Sequence, residues 1–497
     1  MLLIQIDRNG TRPVYLQVFD AIKVRIEQGS LKPGDRLPSS RRLSEQLGVN
    51  RTTIYKAYEE LWAQGYIEST PGSYSFVRKR VEIVEEQRKG GAGIIPWDEK
   101  VTAGTARLLS GRKKETGKGR IRGIDFTPLS PDPDLIPAGE YRKCLNRVMR
   151  DRGSNLLQYG DPLGYKPLRQ SIAKRMKLHG IHTSEKEVMV VNGIQNGLEL
   201  VMKVLAGHGS TILVEEPTYS AALPLFSFYG AEVVPVPLDN EGVRLDILEK
   251  EVKTKNPAFF YTMPNFHNPS GITSSQDNRE NLLKLAEACD LPILEDGFEE
   301  EMKYYGKAIL PVKSMDRMGW VLYFGTFSKV LFPGLRKGWI VADPLLLDKL
   351  GAVKKAGEIS GNSLEQAALE LFCRLGHYDR HIQRMHKVYR KRMKTAIKAA
   401  REHLAPEICR YIQPMGGYTL WVELRDKQVK ERAVIEQLQK QEVAVSPGSL
   451  FFTRKPPHAS FRISIAHRRE EEIREGMRRI GRALTYFSQP NSNKLNQ

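Results

Sequence analysis

Two kinds of hydrophobic spacing divide the chain. Across residues 13–27 the apolar positions Val14, Leu16, Val18, Phe19, Ile22 and Ile26 recur at helical intervals, which predicts an amphipathic helix. Gly29 and the Lys32-Pro33-Gly34 turn end it. Pro38-Ser39-Ser40 supplies an N-cap for a short helix over 41–47, which Gly48 terminates. Asn50 caps a third helix that carries Ile54, Ala57, Tyr58 and Leu61 on one face. Tyr66-Ile67-Glu68-Ser69 and Tyr74-Ser75-Phe76-Val77 read as two strands around the turn Thr70-Pro71-Gly72-Ser73. From Ile124 onward compact apolar runs alternate with helical stretches, the pattern of an α/β domain. The strands predicted there are 187–191, 211–214, 232–235, 258–262, 292–294, 321–324 and 339–342.

Between these regions periodicity is weak. Arg78-Lys79-Arg80, Gly90-Gly91-Ala92-Gly93 and the basic run 112–120 predict a flexible basic linker, with short helices at 82–86 and 101–109 as an option. The expected division is a first domain at 1–78, a linker at 79–122 and a larger domain at 123–488. That domain has a large part at about 150–350 and a small subdomain at about 375–485, and 489–497 reads as a disordered tail.

Length and charge sharpen this picture. A chain of 497 residues exceeds one typical core, and its net charge of +19 calls for an acidic partner, nucleic acid first. The four cysteines are scattered without a CxxC pair, which argues against zinc or a disulfide framework and for a reducing compartment. The first residues become charged too soon for a signal peptide, and no apolar run reaches the ~18 residues of a membrane span. A cytoplasmic protein without a metal site is expected.

Helix, short helix, tight glycine turn, helix and hairpin is the order of a winged helix-turn-helix, an α+β unit whose second paired helix enters the major groove. The residues placed to meet DNA are Ser39, Ser40, Arg41, Arg51, Thr52, Thr53, Tyr55 and Lys56. Arginine suits guanine, and hydroxyls suit phosphate or either base class. On composition alone a small helical domain with a solvated polar face is the favoured reading. Gly34-Asp35-Arg36-Leu37-Pro38-Ser39-Ser40-Arg41, Leu47-Gly48-Val49-Asn50-Arg51-Thr52-Thr53 and Ala57-Tyr58-Glu59-Glu60-Leu61 resemble the GntR-family DNA-binding domain. That resemblance implies DNA contacts by Arg41 and Arg51. The tip Pro71-Gly72-Ser73 has fewer glycines than the family's wing.

In the larger domain polar residues gather where strands end, the usual place for chemistry in such sheets. Gly325-Thr326-Phe327-Ser328-Lys329, with Arg336 beyond it, follows the apolar run 320–324. A lysine there is placed for desolvation and for Schiff-base chemistry, although a turn lysine with polar neighbours fits the segment equally well. Asn192-Gly193-Ile194-Gln195 opens a helix with free amides suited to phosphate. Tyr219, Asn268 and Asp296 follow three other strands. Each alone reads as a turn or core residue. Together they supply a lysine, an acid for a pyridine nitrogen, an amide for a phenolic oxygen, a covering aromatic and a phosphate cradle, which is a pyridoxal 5'-phosphate site.

Tyr159-Gly160-Asp161-Pro162-Leu163-Gly164, Asn268-Pro269-Ser270-Gly271, Ser328-Lys329 with Arg336, and Phe461-Arg462-Ile463 resemble fold-type-I class I aminotransferases over roughly 120–485. The resemblance implies an α/β transferase fold with a small C-terminal α/β subdomain. It makes Lys329 the Schiff-base residue, Asp296 the pyridinium partner, Asn268 the partner of the ring hydroxyl and Tyr219 the stacking aromatic. The Ile194 and Gln195 amides, Thr326, Ser328 and Arg336 would hold the phosphate, with Tyr159 reaching that of a neighbouring subunit. Arg462 would bind an effector carboxylate. Relatives place a tyrosine shortly after the aspartate, where this chain has Gly297-Phe298, and the lost hydrogen bond argues against efficient turnover.

The two halves in this order resemble the MocR/GabR family of bacterial transcription regulators. The resemblance implies a multidomain head-to-tail homodimer on two DNA half-sites, sensing an amino acid or amine through aldimine exchange at Lys329. The competing expectations are a working class I aminotransferase with an accessory DNA-binding domain, and a sensor of pyridoxal phosphate alone.

Overall fold

A computed structural model describes residues 4–8, 10–69, 74–79, 97–112, 123–306 and 309–487. The wing tip at 70–73, the helix expected at 82–86, the basic run at 113–120 and the tail at 489–497 lie outside the described residues. The chain divides into two units, Met1–Lys100 and Val101–Gln497.

The first unit contains α1 (Val14–Glu27), α2 (Ser40–Leu47) and α3 (Arg51–Ala63), then the antiparallel pair β1 (Ile67–Ser69) and β2 (Ser75–Val77). Local chemistry sets the helix ends. The Ser39 hydroxyl accepts from the Arg42 amide and the Asn50 side chain from the Thr52 amide, satisfying donors that helix starts leave open. Gly48 ends α2 at φ +62°, a left-handed conformation that costs glycine little. Val18, Ile22, Leu43, Ile54, Ala57 and Leu61 are fully buried between the three helices. Each of these valine, isoleucine and leucine side chains contributes about 1.5–3 kcal/mol of burial relative to exposure. The Tyr58 hydroxyl donates to the Pro38 carbonyl and fastens α3 to the segment that enters α2.

The second unit is built on an eight-stranded sheet: β3 (Val188–Val191), β4 (Thr211–Glu216), β5 (Glu232–Asp239), β6 (Gly242–Val243), β7 (Phe260–Thr262), β8 (Ile293–Asp296), β9 (Val321–Thr326) and β10 (Gly338–Val341). Its order is β3-β10-β9-β8-β7-β4-β5-β6. The run from β9 to β5 is parallel, whereas β10 is antiparallel to both β9 and β3. Strand residues alternate between two apolar layers. Leu213, Phe260, Ile293 and Val321 pack in one, while Val214, Tyr261, Leu294 and Leu322 pack in the other. With both faces covered, these strands carry the continuous apolar runs typical of a buried parallel sheet.

Several strands run further than their apolar cores predict. Glu215 and Glu216 belong to β4, Asp296 is the last residue of β8, and Thr326 closes β9. Ladder pairing carried the polar ends into the sheet: Glu216 pairs with Pro237, Asp296 with Phe324 and Thr326 with Gly338. Conversely Glu187 ends a 3-10 turn before β3.

Part of the expected linker carries ordered structure. Residues Ala103–Arg112 form α4, docked on the helix Ala222–Phe228. Arg107 donates to the carbonyls of Ser227 and Phe228, and Gly104 lies so close to Phe228 that a Cβ would fall 2.5 Å from its carbonyl oxygen. The small residue at the contact and the main-chain hydrogen bonds dock this helix, neither of which shows as apolar periodicity.

The C-terminal portion forms an antiparallel sheet from β11 (Cys409–Tyr411), β12 (Thr419–Leu424), β13 (Ser446–Pro447) and β14 (Ser460–Ser464), in the order β11-β12-β14-β13. The 27-residue helix α5 (His377–His403) buries Met385, Tyr389, Met393, Ala396 and Ala400 along one face. Among the described residues no helix is long and apolar enough to cross a membrane, and no group of three or more His, Cys, Asp or Glu side chains is placed to hold a metal ion.

Candidate functional site

The ends of β3, β8 and β9 meet at one edge of the large sheet, and a cavity opens there between them and the loops after β4 and β7. Gly193, Ile194, Gln195, Tyr219, Asn268, Asp296, Thr326, Ser328, Lys329 and Arg336 all line it, with Met263, Phe298 and Pro333 completing the wall. Residues spread across the sequence therefore converge because parallel strands deliver their C-terminal ends to the same side.

Lys329 is half-buried, and its Nζ donates to the Leu129 carbonyl at 2.7 Å. Burial depresses its pKa, opposed by the nearby Glu299 carboxyl and reinforced by Arg462. The Tyr418 hydroxyl donates to the Lys329 carbonyl at 2.8 Å and fixes the turn that carries it.

Asp296 is buried and accepts from the Tyr261 hydroxyl at 2.6 Å and the Phe298 amide at 3.0 Å. Burial raises its pKa to about 6 against these hydrogen bonds, which favour the carboxylate. Sequence reasoning missed Tyr261 because it lies inside an apolar run and reads as a core aromatic. The available signal was strand parity: Tyr261 pairs with Leu294, so it shares a face with Leu294 and Asp296.

Phe298 lines the cavity with an apolar ring. Its neighbour Glu299 is fully buried, accepts from the Tyr418 amide at 3.1 Å and has its pKa raised by desolvation, with the Lys329 charge opposing. Nothing in the sequence pattern marked Glu299.

The cradle for an anion lies at the start of the helix Ile194–Leu205. Gly193 caps it at φ +85°, and a Cβ there would come within 2.7 Å of the Arg336 guanidinium. The first amides of a helix have no intrahelical acceptor, so those of Ile194 and Gln195 remain available. Arg336 donates to the Asn192 carbonyl at 3.1 Å, which holds its fork beside this helix start. The Ser328 hydroxyl is buried without a hydrogen-bond partner among the described residues. Thr326 plays a more internal part: its hydroxyl donates to the Lys337 carbonyl and accepts from the Ser328 amide, which organises the loop.

Arg462 lies beside the cavity rather than in its wall. Its guanidinium donates to Asn268 Oδ1 at 2.9 Å, the Thr127 carbonyl at 3.0 Å and Ser446 Oγ at 3.1 Å. Its Nε is buried without a partner among the described residues. Burial lowers its pKa to about 10, and Glu299 and Tyr219 oppose that shift. Tyr159 is not brought to the cavity: it is 81% exposed.

A pyridoxal phosphate group fits these residues. The free Ser328 hydroxyl, the open amides, Arg336 and the space that a Cβ at Gly193 would fill form a phosphate cradle. The buried Asp296 carboxyl is suited to a protonated ring nitrogen, and Asn268, its Oδ1 occupied by Arg462, keeps its Nδ2 donor for a ring oxygen.

In the first unit the expected DNA-facing residues share the N-terminal ends of α2 and α3. Arg51 Nε donates to Ser40 Oγ at 3.4 Å and Arg41 pairs with Glu45 at 3.2 Å, both arginines being exposed. Ser39 and Thr52 are partly occupied by the caps, with Thr52 Oγ1 donating to Asn50 Oδ1. Tyr55 and Lys56 are exposed and Thr53 is half-buried.

Comparison with known proteins bears on both units. Residues 134–480 match the family of aminotransferase class I and II, and residues 14–77 match the bacterial regulatory proteins of the gntR family. The chain is 29% identical to the uncharacterized HTH-type transcriptional regulator YdfD of Bacillus subtilis, over 94% of this chain and 96% of that protein. It is also 29% identical to the probable rhizopine catabolism regulatory protein MocR of Rhizobium meliloti, over 97% and 96%. Among solved structures, LysN, the α-aminoadipate aminotransferase of Thermus thermophilus complexed with N-(5'-phosphopyridoxyl)-L-leucine, superimposes with a TM-score of 0.72 at 32% identity, covering 79% of this chain and 99% of that one. The fold family is pyridoxal-phosphate-dependent. The chain belongs to the aminotransferase class I and II family, with a gntR-type DNA-binding domain fused ahead of it as in regulators of the MocR type.

Proposed function

We propose that the aminotransferase-like unit is a receptor for an amine that bears a carboxylate, and that its occupancy sets how the N-terminal unit holds promoter DNA. The observation that carries this reading is Arg462, a buried guanidinium whose partners are all neutral. Among the described residues no carboxylate lies within ion-pair distance of it. A charge buried among neutral acceptors gains from an anionic ligand, since the bidentate pair is the stronger interaction.

When bound, pyridoxal phosphate supplies an electrophilic carbon for which Lys329 and an effector amine compete, and a ring that draws electrons from it. Burial lowers the Lys329 pKa and so favours its unprotonated, nucleophilic form. Tyr261 and the Phe298 amide hold Asp296 ionised against its desolvation. Phe298 offers no hydroxyl to the ring oxygen, leaving Asn268 as the amide donor there. The loss of that one hydroxyl beside the ring oxygen favours a receptor over a fast catalyst.

The coupling to DNA follows from what Arg462 connects. Asn268 belongs to the large sheet's loops, Ser446 to the small sheet and Thr127 to the segment that follows the linker. A ligand carboxylate that draws Arg462 away from these groups favours a different arrangement of three segments, the differential contact that a conformational switch needs. The reading includes a head-to-tail homodimer on two half-sites, in which the exposed Tyr159 serves the partner's phosphate cradle.

The test is fluorescence anisotropy of the full-length, pyridoxal-phosphate-loaded protein on its own upstream DNA, against a panel of amino compounds. One class of carboxylate-bearing amine should change the affinity, and Arg462→Ala should lose that response while keeping its unliganded DNA affinity. If no amino compound alters DNA binding, and 2-oxo acids turn over near the ~10 s⁻¹ typical of enzymes, the chain is a working aminotransferase instead.

A further inference from the structure

Helix α5 carries nine lysines and arginines against two acids, far more positive charge than its core-facing residues require. Its buried stripe leaves Lys387, Arg390, Lys391, Lys394, Lys398 and Arg401 exposed on one face, at spacings of one, three and four residues. They form one wall of a groove of 1090 Å³, whose other side includes Tyr304 and Tyr305. The Arg390 guanidinium lies 5.6 Å from the centre of the Tyr305 ring, and the Tyr305 hydroxyl donates to the Arg390 carbonyl.

Few of these cations are neutralised locally. Lys391 is 3.4 Å from Glu470 and Lys398 is 3.8 Å from Glu402, while Arg401 donates to the neutral Gln413. Among the described residues no carboxylate reaches ion-pair distance of Lys387, Arg390 or Lys394. Six cations along about 21 Å of helix repel one another unless a polyanion or salt screens them.

We infer that this groove binds the phosphate backbone of duplex DNA, as a contact separate from the N-terminal helix-turn-helix unit. The charge row matches a duplex, which presents one negative charge per about 1.7 Å of axis, so the stretch faces roughly a dozen phosphates. The row is made of lysine and arginine, whose commonest DNA partners are phosphate oxygens, and Glu402 and Gln413 in the groove's lining are engaged with Lys398 and Arg401, so the contact is to phosphate. DNA is favoured over an acidic protein or an anionic membrane because the same chain already carries a DNA-binding domain. Both contacts belong to one chain, so a duplex long enough to reach both sites needs only weak intrinsic affinity at the groove.

The test is a salt titration of full-length protein on a long random-sequence duplex. Lys387→Gln/Lys394→Gln should reduce the slope of log K against log [salt] by about 1.8, and Lys387→Gln alone by about 0.9. The control Lys250→Gln/Lys349→Gln, at exposed lysines elsewhere on the unit, should leave the slope unchanged. Glutamine keeps helix propensity near that of lysine, and unchanged circular dichroism confirms that each variant is folded. Equal slopes for wild type and the groove variant overturn the inference. So does an equal loss in groove and control variants, which would mean only diffuse charge. Unchanged DNA binding with lost capture by phosphatidylserine vesicles or by polyglutamate would assign the groove to a membrane or an acidic protein, and equally overturns it.

Discussion

Tyr261→Phe tests the electrostatics of the site through one atom. The substitution removes the hydroxyl that donates to Asp296 at 2.6 Å and leaves the ring packed in its layer. Hydrogen bonds to ionised groups contribute about 1.5–3 kcal/mol and those between neutral groups about 0.5–1.5 kcal/mol. Burial raises the Asp296 pKa from 3.8 to about 6. The folded state therefore holds the proton more tightly, so the stability linked to this group is complete below pH 4 and is lost as pH rises through about 6. That loss is worth about 3 kcal/mol. Without the tyrosine the carboxylate is less well held, its pKa rises by roughly a further unit, and the window of loss extends toward pH 7. Urea unfolding of the apo-protein, followed through the buried Trp339 and Trp421 of the second unit, reads this out. The Tyr261→Phe penalty should be about 2 kcal/mol at pH 8 and about 1 kcal/mol at pH 4. A penalty independent of pH, or one below about 0.5 kcal/mol throughout, refutes a bond to an ionised Asp296.

Gly193→Ala places a Cβ 2.7 Å from the Arg336 guanidinium at φ +85°, so pyridoxal-phosphate affinity measured by absorbance titration should fall at least tenfold while DNA binding by the first unit persists. Leu43→Ala opens a cavity in the small core of the first unit at a cost of about 2–5 kcal/mol, enough to abolish DNA binding in a gel shift while the cofactor titration is unchanged. Arg51→Ala should weaken binding to upstream DNA by about 1–3 kcal/mol at fixed salt, whereas Arg432→Ala, an exposed arginine on the second unit, should leave it unchanged.

Much of the fold was legible because local signals agreed. In the first unit Ser39, Gly48 and Asn50 fix helix ends by bonds that reach only two to four residues, so sequence alone marks them. In the second unit strand centres were visible as apolar runs, but their ends were not. Whether Glu215 or Asp296 sits in a ladder depends on the neighbouring strand, and no local pattern reports that. Gly104 and Arg107 dock α4 through contacts with Phe228 more than a hundred residues away, which linker composition conceals.

The sequence by itself determined the two-part architecture and the cavity's chemical inventory, because motif spacing and strand-end placement are local properties. Lys329, Asp296, Asn268 and Arg336, which line the cavity, and Arg462 beside it could all be named from it. Tertiary structure alone decided how those groups are tuned. It brought the Tyr261 hydroxyl to Asp296 across two parallel strands and tied Arg462 to Asn268 across two sheets. It buried Glu299 within electrostatic reach of Lys329, and it set the basic face of α5 against Tyr304 and Tyr305 to make a groove. Hydrogen bonds and fields act through space over a few ångströms, and only the folded chain sets those distances.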